Sequence, residues 1–357
     1  MANSNTVKTI EWRLIEDIEQ LKQYTEQWQE LVQTSQANLF SSPQWIMTWI
    51  DIYWQSSWQL KVISGFNNNK LIAIAPLYLQ IKSGLLSIST LLPLGQGEPE
   101  ESEVLSEFQD VVITEAFNYA YIELADKIQQ IAFDRVVCNN VLASSNWLKI
   151  LPLLKNASSK ITGQRYLIDH NNNYLLTLSK NNRTKWHRCS TKLQQLGATF
   201  SWVSLEHYQE YWQQLIELHQ NRWTQKGNLG AFFHPDFTHF HQDFQKHNNT
   251  KMSVLTINGE TVAINYYLTD HNTLYFYQSG WDEGNHAQLS PGFALHIWSI
   301  INSPLARYDF MAGELTNSYK SKFINKIPEN IYSLSAEKSK IRIYFSKLTS
   351  TLFTASS

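Results

Sequence analysis

One hairpin occurs twice in this chain, and that narrows the fold more than any other feature. Val62-Ile-Ser-Gly-Phe66, an Asn67-Asn-Asn69 turn and Leu71-Ile-Ala-Ile-Ala-Pro-Leu-Tyr-Leu79 form the first copy. Val254-Leu-Thr-Ile257, an Asn258-Gly259 turn and Val262-Ala-Ile-Asn-Tyr-Tyr-Leu268 form the second, with Ala73-Ile74 over Ala263-Ile264. Asn-Gly is the strongest two-residue turn signal. After each hairpin the pattern runs strand, helix, strand, helix, strands. A period of roughly 190 residues is too long for a solenoid and points to a duplicated domain. The expectation is an α/β chain of the α+β mixed-sheet kind, with two tandem domains over 1–168 and 169–347 and a frayed tail at 348–357. Each domain is a mixed, largely antiparallel sheet flanked by helices, because a hairpin feeds a βαβ unit.

The copies differ where chemistry would sit. After its central strand the first carries Glu98, Glu100, Glu101 and Glu103, which repel an anion. The second runs from the strand Thr273–Gly280 to a helix opening at Gln288-Leu-Ser-Pro-Gly292 and reaching about Ile301. Ser290 suits an N-cap that accepts a first-turn amide, and Pro291 suits the first helical position. Gly292 permits close approach to the backbone. Such a helix start exposes amides and partial positive charge, so Gln288, Ser290, Pro291, Gly292 and Phe293 are candidate anion ligands. A well-capped structural helix is the plainer reading.

Of the 357 residues, 43% are hydrophobic and 17% charged, enough for a large core. The net charge of -2 supplies no global field for nucleic acid or an anionic membrane. Cys138 and Cys189 form no paired motif, so zinc, redox or disulfide frameworks are not expected. No apolar run reaches the ~18 residues of a membrane helix and no leader pattern opens the chain, so a soluble cytoplasmic protein is expected.

Further along, Trp28, Leu31 and Val32 mark an amphipathic helix, and Ser42-Pro43 opens another carrying Trp45, Ile46, Trp49, Ile50 and Tyr53. A helix is expected over Glu115–Ile131 and strands over Asp134–Cys138, Gln164–Asp169 and Asn173–Leu178. Lys180–Leu196 reads as a basic helix with Lys180, Arg183, Lys185, Arg188 and Lys192. A long helix, about Leu205 to Lys226, puts His219 and Arg222 on one face. Arg307–Gly313 is a strand and Tyr319-Lys320 opens a last short helix. Final strands are expected at Ile331–Ser335 and Lys340–Phe345.

Several motifs stand in a fixed order: Phe40-x-x-Pro43-x-Trp45 with Trp49; Ala75-Pro76-Leu77; Leu218-His219-x-x-Arg222-Trp223-x-x-x-Gly227; Ser290-Pro291-Gly292; and Asp309-Phe310-x-x-Gly313-Glu314 with Tyr319-Lys320. Over about residues 8–340 the chain resembles the GNAT-type acyltransferases of the CelD/BcsL kind, relatives of the FemAB peptidyltransferases with tandem GNAT folds. The resemblance implies transfer of an acyl group such as acetyl from acyl-CoA (acetyl-CoA) as co-substrate to an amine or hydroxyl of a small or saccharide acceptor, often in polysaccharide or envelope biosynthesis. The usual pyrophosphate loop is only approximated by Gln288, Ser290 and Gly292, and the last motif ends in Phe323 where Trp is usual.

Acyl transfer needs a bound donor, a base and stabilisation of the oxyanion and leaving thiolate. The resemblance implies Tyr319 as the acid for the thiolate. His219 has a suitable intrinsic pKa for a base. A lone His on an apolar helix face is more often a satisfied core residue; Glu217, Asp309 and Glu314 are the alternatives. Arg222, Trp223, Tyr277 and Lys320 are candidate substrate contacts. His234, His239 and His241 lack the spacing for a metal, and none is expected. Two rivals stay open: an aminoacyl-tRNA-dependent FemAB-like peptidyltransferase, and an inactive GNAT pair acting as a binding or scaffold module. Nucleic acid is not an expected partner of the leading reading.

Overall fold

Short alternating segments and Asn-containing turns give this chain fifteen strands among the described residues of the computed structural model, which are 9–35, 37–82, 87–316, 318–324 and 326–338. They belong to two units. The first holds the chain up to Glu98, Val104–Thr162 and the chain from Ile331; the second holds Pro99–Glu103 and Gly163–Asn330.

In the first unit, β1 (Glu11–Ile15), β2 (Gln59–Leu60), β3 (Val62–Asn67), β4 (Lys70–Ala75) and β5 (Leu77–Lys82) precede β6 (Ile88–Pro93) and β7 (Val112–Ile113). Asn68 and Asn69 both take left-handed φ, at 50° and 62°, closing the β3–β4 hairpin as the sequence implies. One sheet has the order β1-β3-β4-β7. Helices α1 (Ile18–Lys22), α2 (Thr25–Thr34) and α3 (Pro43–Tyr53) pack alongside, and the Ser42 hydroxyl caps α3 by accepting from the Trp45 amide at 3.3 Å. Then α4 (Tyr121–Gln130) crosses from β6 to β8 (Arg135–Leu142), which pair in parallel. The helix expected over Glu115–Ile131 is thus α-helical only from Tyr121; Phe117 departs from helical geometry and the turns before it are 3-10. A short α5 (Trp147–Ile150) follows, and β15 (Glu329–Glu337) pairs antiparallel with β8.

The second unit repeats the plan. The strand β9 (Ser158–Asp169) leads into it, followed by α6 (Tyr174–Thr177), α7 (Lys180–Gln195) and β10 (Ala198–Trp202). The strand expected at Asn173–Leu178 is instead the single turn α6, where only Tyr174 and Leu178 turn inward, a spacing of four rather than two. Next come α8 (Tyr208–Gln225), α9 (Pro235–Gln245), β11 (Thr250–Ile257), β12 (Glu260–Thr269), β13 (Thr273–Trp281), α10 (Pro291–Ile301) and β14 (Arg307–Gly313). Asn258 and Gly259 are both left-handed, as the Asn-Gly signal requires. The sheet order is β10-β11-β12-β13-β14-β9, antiparallel except for the parallel pair β13–β14 joined through α10. The fold is therefore the mixed α/β architecture expected, with the hairpin and βαβ unit present in each copy.

Helix α8 buries Trp212, Leu215 and His219, one stripe at helical spacing. It comes against β13 at Gly280, where a Cβ would lie 2.7 Å from the Leu218 Cβ and 2.8 Å from the His219 amide nitrogen. The segments expected at Lys340–Phe345 and in the tail fall outside the described residues.

Candidate functional site around the start of helix α10

Strands β13 and β14 pair only at Thr273, Leu274 and Tyr275 against Arg307, Tyr308 and Asp309. Beyond that point a bulge at Tyr277 shifts β13 against β12, and Met311, with φ 62°, breaks the register of β14 against β9. The second unit thus carries a pair of strands that pair at one end only, with α10 starting after β13.

The helix start differs from the expectation in one respect. Ser290 occupies the cap position, but with φ 50° and ψ 56° its side chain makes no capping bond. A capping residue normally sits in the extended region. In the left-handed conformation the hydroxyl turns toward the Cys189 thiol, where its hydrogen bond lowers a pKa that burial raises. Pro291 holds the first helical position as expected. The first intrahelical bond runs from the Ala294 amide to the Ser290 carbonyl at 3.0 Å. The amides of Gly292 and Phe293 therefore lack helical acceptors. A Cβ at Gly292 would meet the Trp281 ring at 3.4 Å, so this glycine lies on an indole. Gln288 is exposed in the preceding turn.

Cations surround this start. Lys185 of α7 places its ammonium 4.5 Å from the Phe293 ring centre, and the Arg222 guanidinium lies 3.5 Å from that of Trp281. Arg222 is anchored to Glu283 at 2.7 Å, and Lys226 meets the same carboxylate at 3.1 Å. Burial alone would raise the Glu283 pKa, but these two cations hold it below the usual carboxylate range. The loop's negative charge is thereby neutralised and α10 keeps its positive end. Lys185 was not singled out from its four basic neighbours in sequence, because helical spacing alone does not show which cation faces α10.

His219 is buried, and both ring nitrogens are engaged: Nδ1 lies 3.0 Å from the Ser279 carbonyl, and Nε2 accepts from the Ala231 amide at 3.3 Å. Burial lowers its pKa to about 4. Among the alternative bases, Asp309 is fully buried and held by Arg165 at 2.7 Å, while its other oxygen accepts from the Met311 amide at 2.8 Å. Glu314 is exposed just after β14. Tyr319 is 46% exposed. Desolvation pushes its phenol pKa up while Arg222 draws it down.

Lys320 is held at β14, close enough to His296 of α10 that its charge adds to burial in lowering that ring's pKa. Its ammonium donates to the carbonyls of Phe310 and Ala312, and its stem passes Gly313, where a Cβ would come 3.2 Å from the Lys320 Cδ. Tyr277 packs with His241 at 4.7 Å between ring centres, and Trp223 lies 6.0 Å from His219. Phe293 and Phe323 stand 5.4 Å apart, with Tyr319 and His296 at 6.5 and 5.1 Å from Phe323. His296, unremarked in sequence inside an apolar helix, bonds the Tyr308 hydroxyl at 2.8 Å. Among the described residues no group of His, Cys, Asp or Glu could hold a metal ion, and no helix is long and apolar enough to cross a membrane.

Comparison with known proteins fits this geometry. Residues 180–321 match the model of the Acetyltransferase (GNAT) domain. A crystal structure of FemX aligns over 95% of this chain and 99% of its own length, with a TM-score of 0.65 at 11% identity. The fold is GNAT/FemAB-like. The C-terminal domain of a putative lysylphosphatidylglycerol synthetase from Agrobacterium fabrum aligns over 92% of this chain and 96% of its own, with a TM-score of 0.53 at 11% identity. No curated protein matches the sequence. The second unit therefore carries the GNAT acetyltransferase match, with the start of α10 inside it.

Proposed function

We propose that this chain is an acyltransferase of the CelD/BcsL kind, moving an acetyl or similar group from acyl-CoA to an amine or hydroxyl of a small or saccharide acceptor. The observation that carries the reading is the start of α10: free amides at Gly292 and Phe293, Lys185 beside them, and the loop carboxylate Glu283 neutralised by Arg222 and Lys226. That donor set fits the pyrophosphate of CoA. In this reading the domain over 169–347 binds donor and performs the chemistry, and the one over 1–168 shapes the acceptor side. It works in the cytoplasm without entering a membrane, and polysaccharide or envelope biosynthesis is the expected setting.

Tyr319 reaches solvent as a phenol and is assigned as the acid for the leaving thiolate. His219 and Asp309 have no free acceptor aimed outward, so they position β13 and β14; the exposed Glu314 is the better base. Arg222, Trp223 and Tyr277 line the acceptor side, and Lys320 fixes the strand end. Calorimetric titration of acetyl-CoA tests this: wild type binds, and Lys185→Glu, at an exposed position, binds about tenfold or more weakly. No binding to wild type, or equal binding to the variant, sinks the reading.

The exposed cations of α7 and the FemAB-like fold favour one rival, transfer from aminoacyl-tRNA. Transfer of a radiolabelled amino acid from charged tRNA, with none from acyl-CoA, would establish it instead; no turnover with either donor would leave a binding module.

A further inference from the structure

The first unit holds a recess of about 390 Å³ between β1, β3, β5 and the C-terminal turn of α4. That is the size of a small-molecule site. Leu14 stands opposite Ile63 across the β1–β3 ladder, and strand alternation puts Trp12 and Lys61 on their face. The floor is apolar, made by Trp12, Leu14, Ile63 and Leu79. Leu14 is 46% exposed whereas Ile63 and Leu79 are buried, so Leu14 is the accessible aliphatic part of the floor.

The floor is rigid. Trp12 lies across Gly65, where a Cβ would come within 2.9 Å of its ring, and its indole N–H donates to Glu123 of α4 at 2.8 Å. The rim is cationic. Lys61 is paired with Glu16, whereas Lys127 has no acidic partner among the described residues. Lys127 is not needed to cap α4, because Lys338 donates to the Gln129 and Ile131 carbonyls at 2.6 and 2.5 Å. Glu123, one turn before Lys127, is committed to Trp12. Lys127 therefore stands beside the apolar floor with no direct ion pair among the described residues, while the other two rim cations, Arg13 and Lys61, are paired with Glu11 and Glu16.

We propose that this recess binds an amphiphilic monoanion, a medium-length aliphatic carboxylate whose body covers Leu14 and whose head meets Lys127. The inference does not rest on the donor site proposed for the second unit. Calorimetric titration of the full chain with octanoate, octanol and acetate tests it. Octanoate binds, while octanol, which lacks the charge, and acetate, which lacks the body, bind about tenfold or more weakly. Lys127→Glu and Leu14→Asn each weaken octanoate about tenfold, the worth of one charged or one apolar contact, with unchanged thermal unfolding as the control for folding. Lys185→Glu in the second unit leaves octanoate binding as it was. The inference is overturned if octanoate does not bind, if octanol binds as well as octanoate, if both recess variants bind it normally, or if Lys185→Glu is the variant that loses it. Loss of acyl-CoA binding in the wild type would leave this result standing.

Discussion

Replacing Asp309 by Asn separates a structural carboxylate from a chemical one. Asp309 is 0% exposed, and its partner Arg165 has a side chain only 12% exposed, 2.7 Å away. Burial alone would lower the Arg165 pKa, but Asp309 more than reverses this and keeps the guanidinium charged. Removing one member of a buried pair costs about 3–5 kcal/mol, because the other charge stays behind without compensation. Two features place Asp309→Asn at the low end. The amide oxygen still accepts from Met311, and Glu329, 3.4 Å from Arg165, still answers part of its charge. The expected loss is about 3 kcal/mol, or about 6–12 °C in the melting midpoint of a unit this size. Urea unfolding, checked by calorimetry, gives the value. The double variant Arg165→Met/Asp309→Asn removes the stranded charge and recovers to within about 1 kcal/mol of wild type. If Asp309→Asn unfolds at the wild-type urea concentration yet abolishes turnover, the carboxylate is a reacting group and the reasoning is refuted.

Acidification lowers stability through three buried histidines whose pKa burial depresses, His219 to about 4 and His241 and His296 to about 3. Below about 6.5 the unfolded chain takes up protons that the folded chain refuses, so stability falls as pH drops toward those values. At pH 5.5 each contributes a loss of roughly 1–2 kcal/mol. Asp110, raised to about 6 by burial, binds a proton more readily when folded and returns about 1 kcal/mol. The unfolding free energy from urea titration therefore drops between pH 7.5 and 5.5 by a net of about 3 kcal/mol; a flat profile contradicts the burial of these rings. Gly313→Ala places a Cβ 2.9 Å from the Ser318 hydroxyl and 3.0 Å from the Tyr166 ring, and costs about 1–3 kcal/mol in denaturant unfolding. Tyr319→Phe lowers kcat about 10²- to 10⁴-fold with little change in KM for acyl-CoA, measured by thiol release; an unchanged kcat removes Tyr319 from the chemistry.

Much of the architecture could be read from period-two and helical patterns. The two hairpins, the Asn turns and the Ser42-Pro43 helix start are encoded locally, so alternation and turn chemistry sufficed. Asn173–Leu178 misled because six residues fit either period, and the four-residue spacing of Tyr174 and Leu178 shows only once their burial is known. At the site, Pro291 and Gly292 were legible as a helix start, but the left-handed turn at Ser290 was not: a serine there has the composition of a cap whichever way its backbone turns. The partners of Asp309 and Lys320 were invisible for a different reason. Arg165 lies 144 residues from Asp309, and the carbonyls that hold Lys320 belong to a strand whose direction after Met311 depends on a single positive φ.

The contact at Gly280 bears on how ligands of different length could be accepted. With no side chain between them, α8 and β13 meet backbone to backbone, and neither can shift without the other. Ser279, His219, Arg222 and Trp281 ride on that single block, so their spacing is inherited from the main chain and not tuned by rotamers. Adaptation is left to the segment 282–290, tied through Asp282 to His286 and through Glu283 to Arg222 and Lys226. Substitutions that change ligand choice should therefore accumulate in this segment, while the block behind it tolerates few.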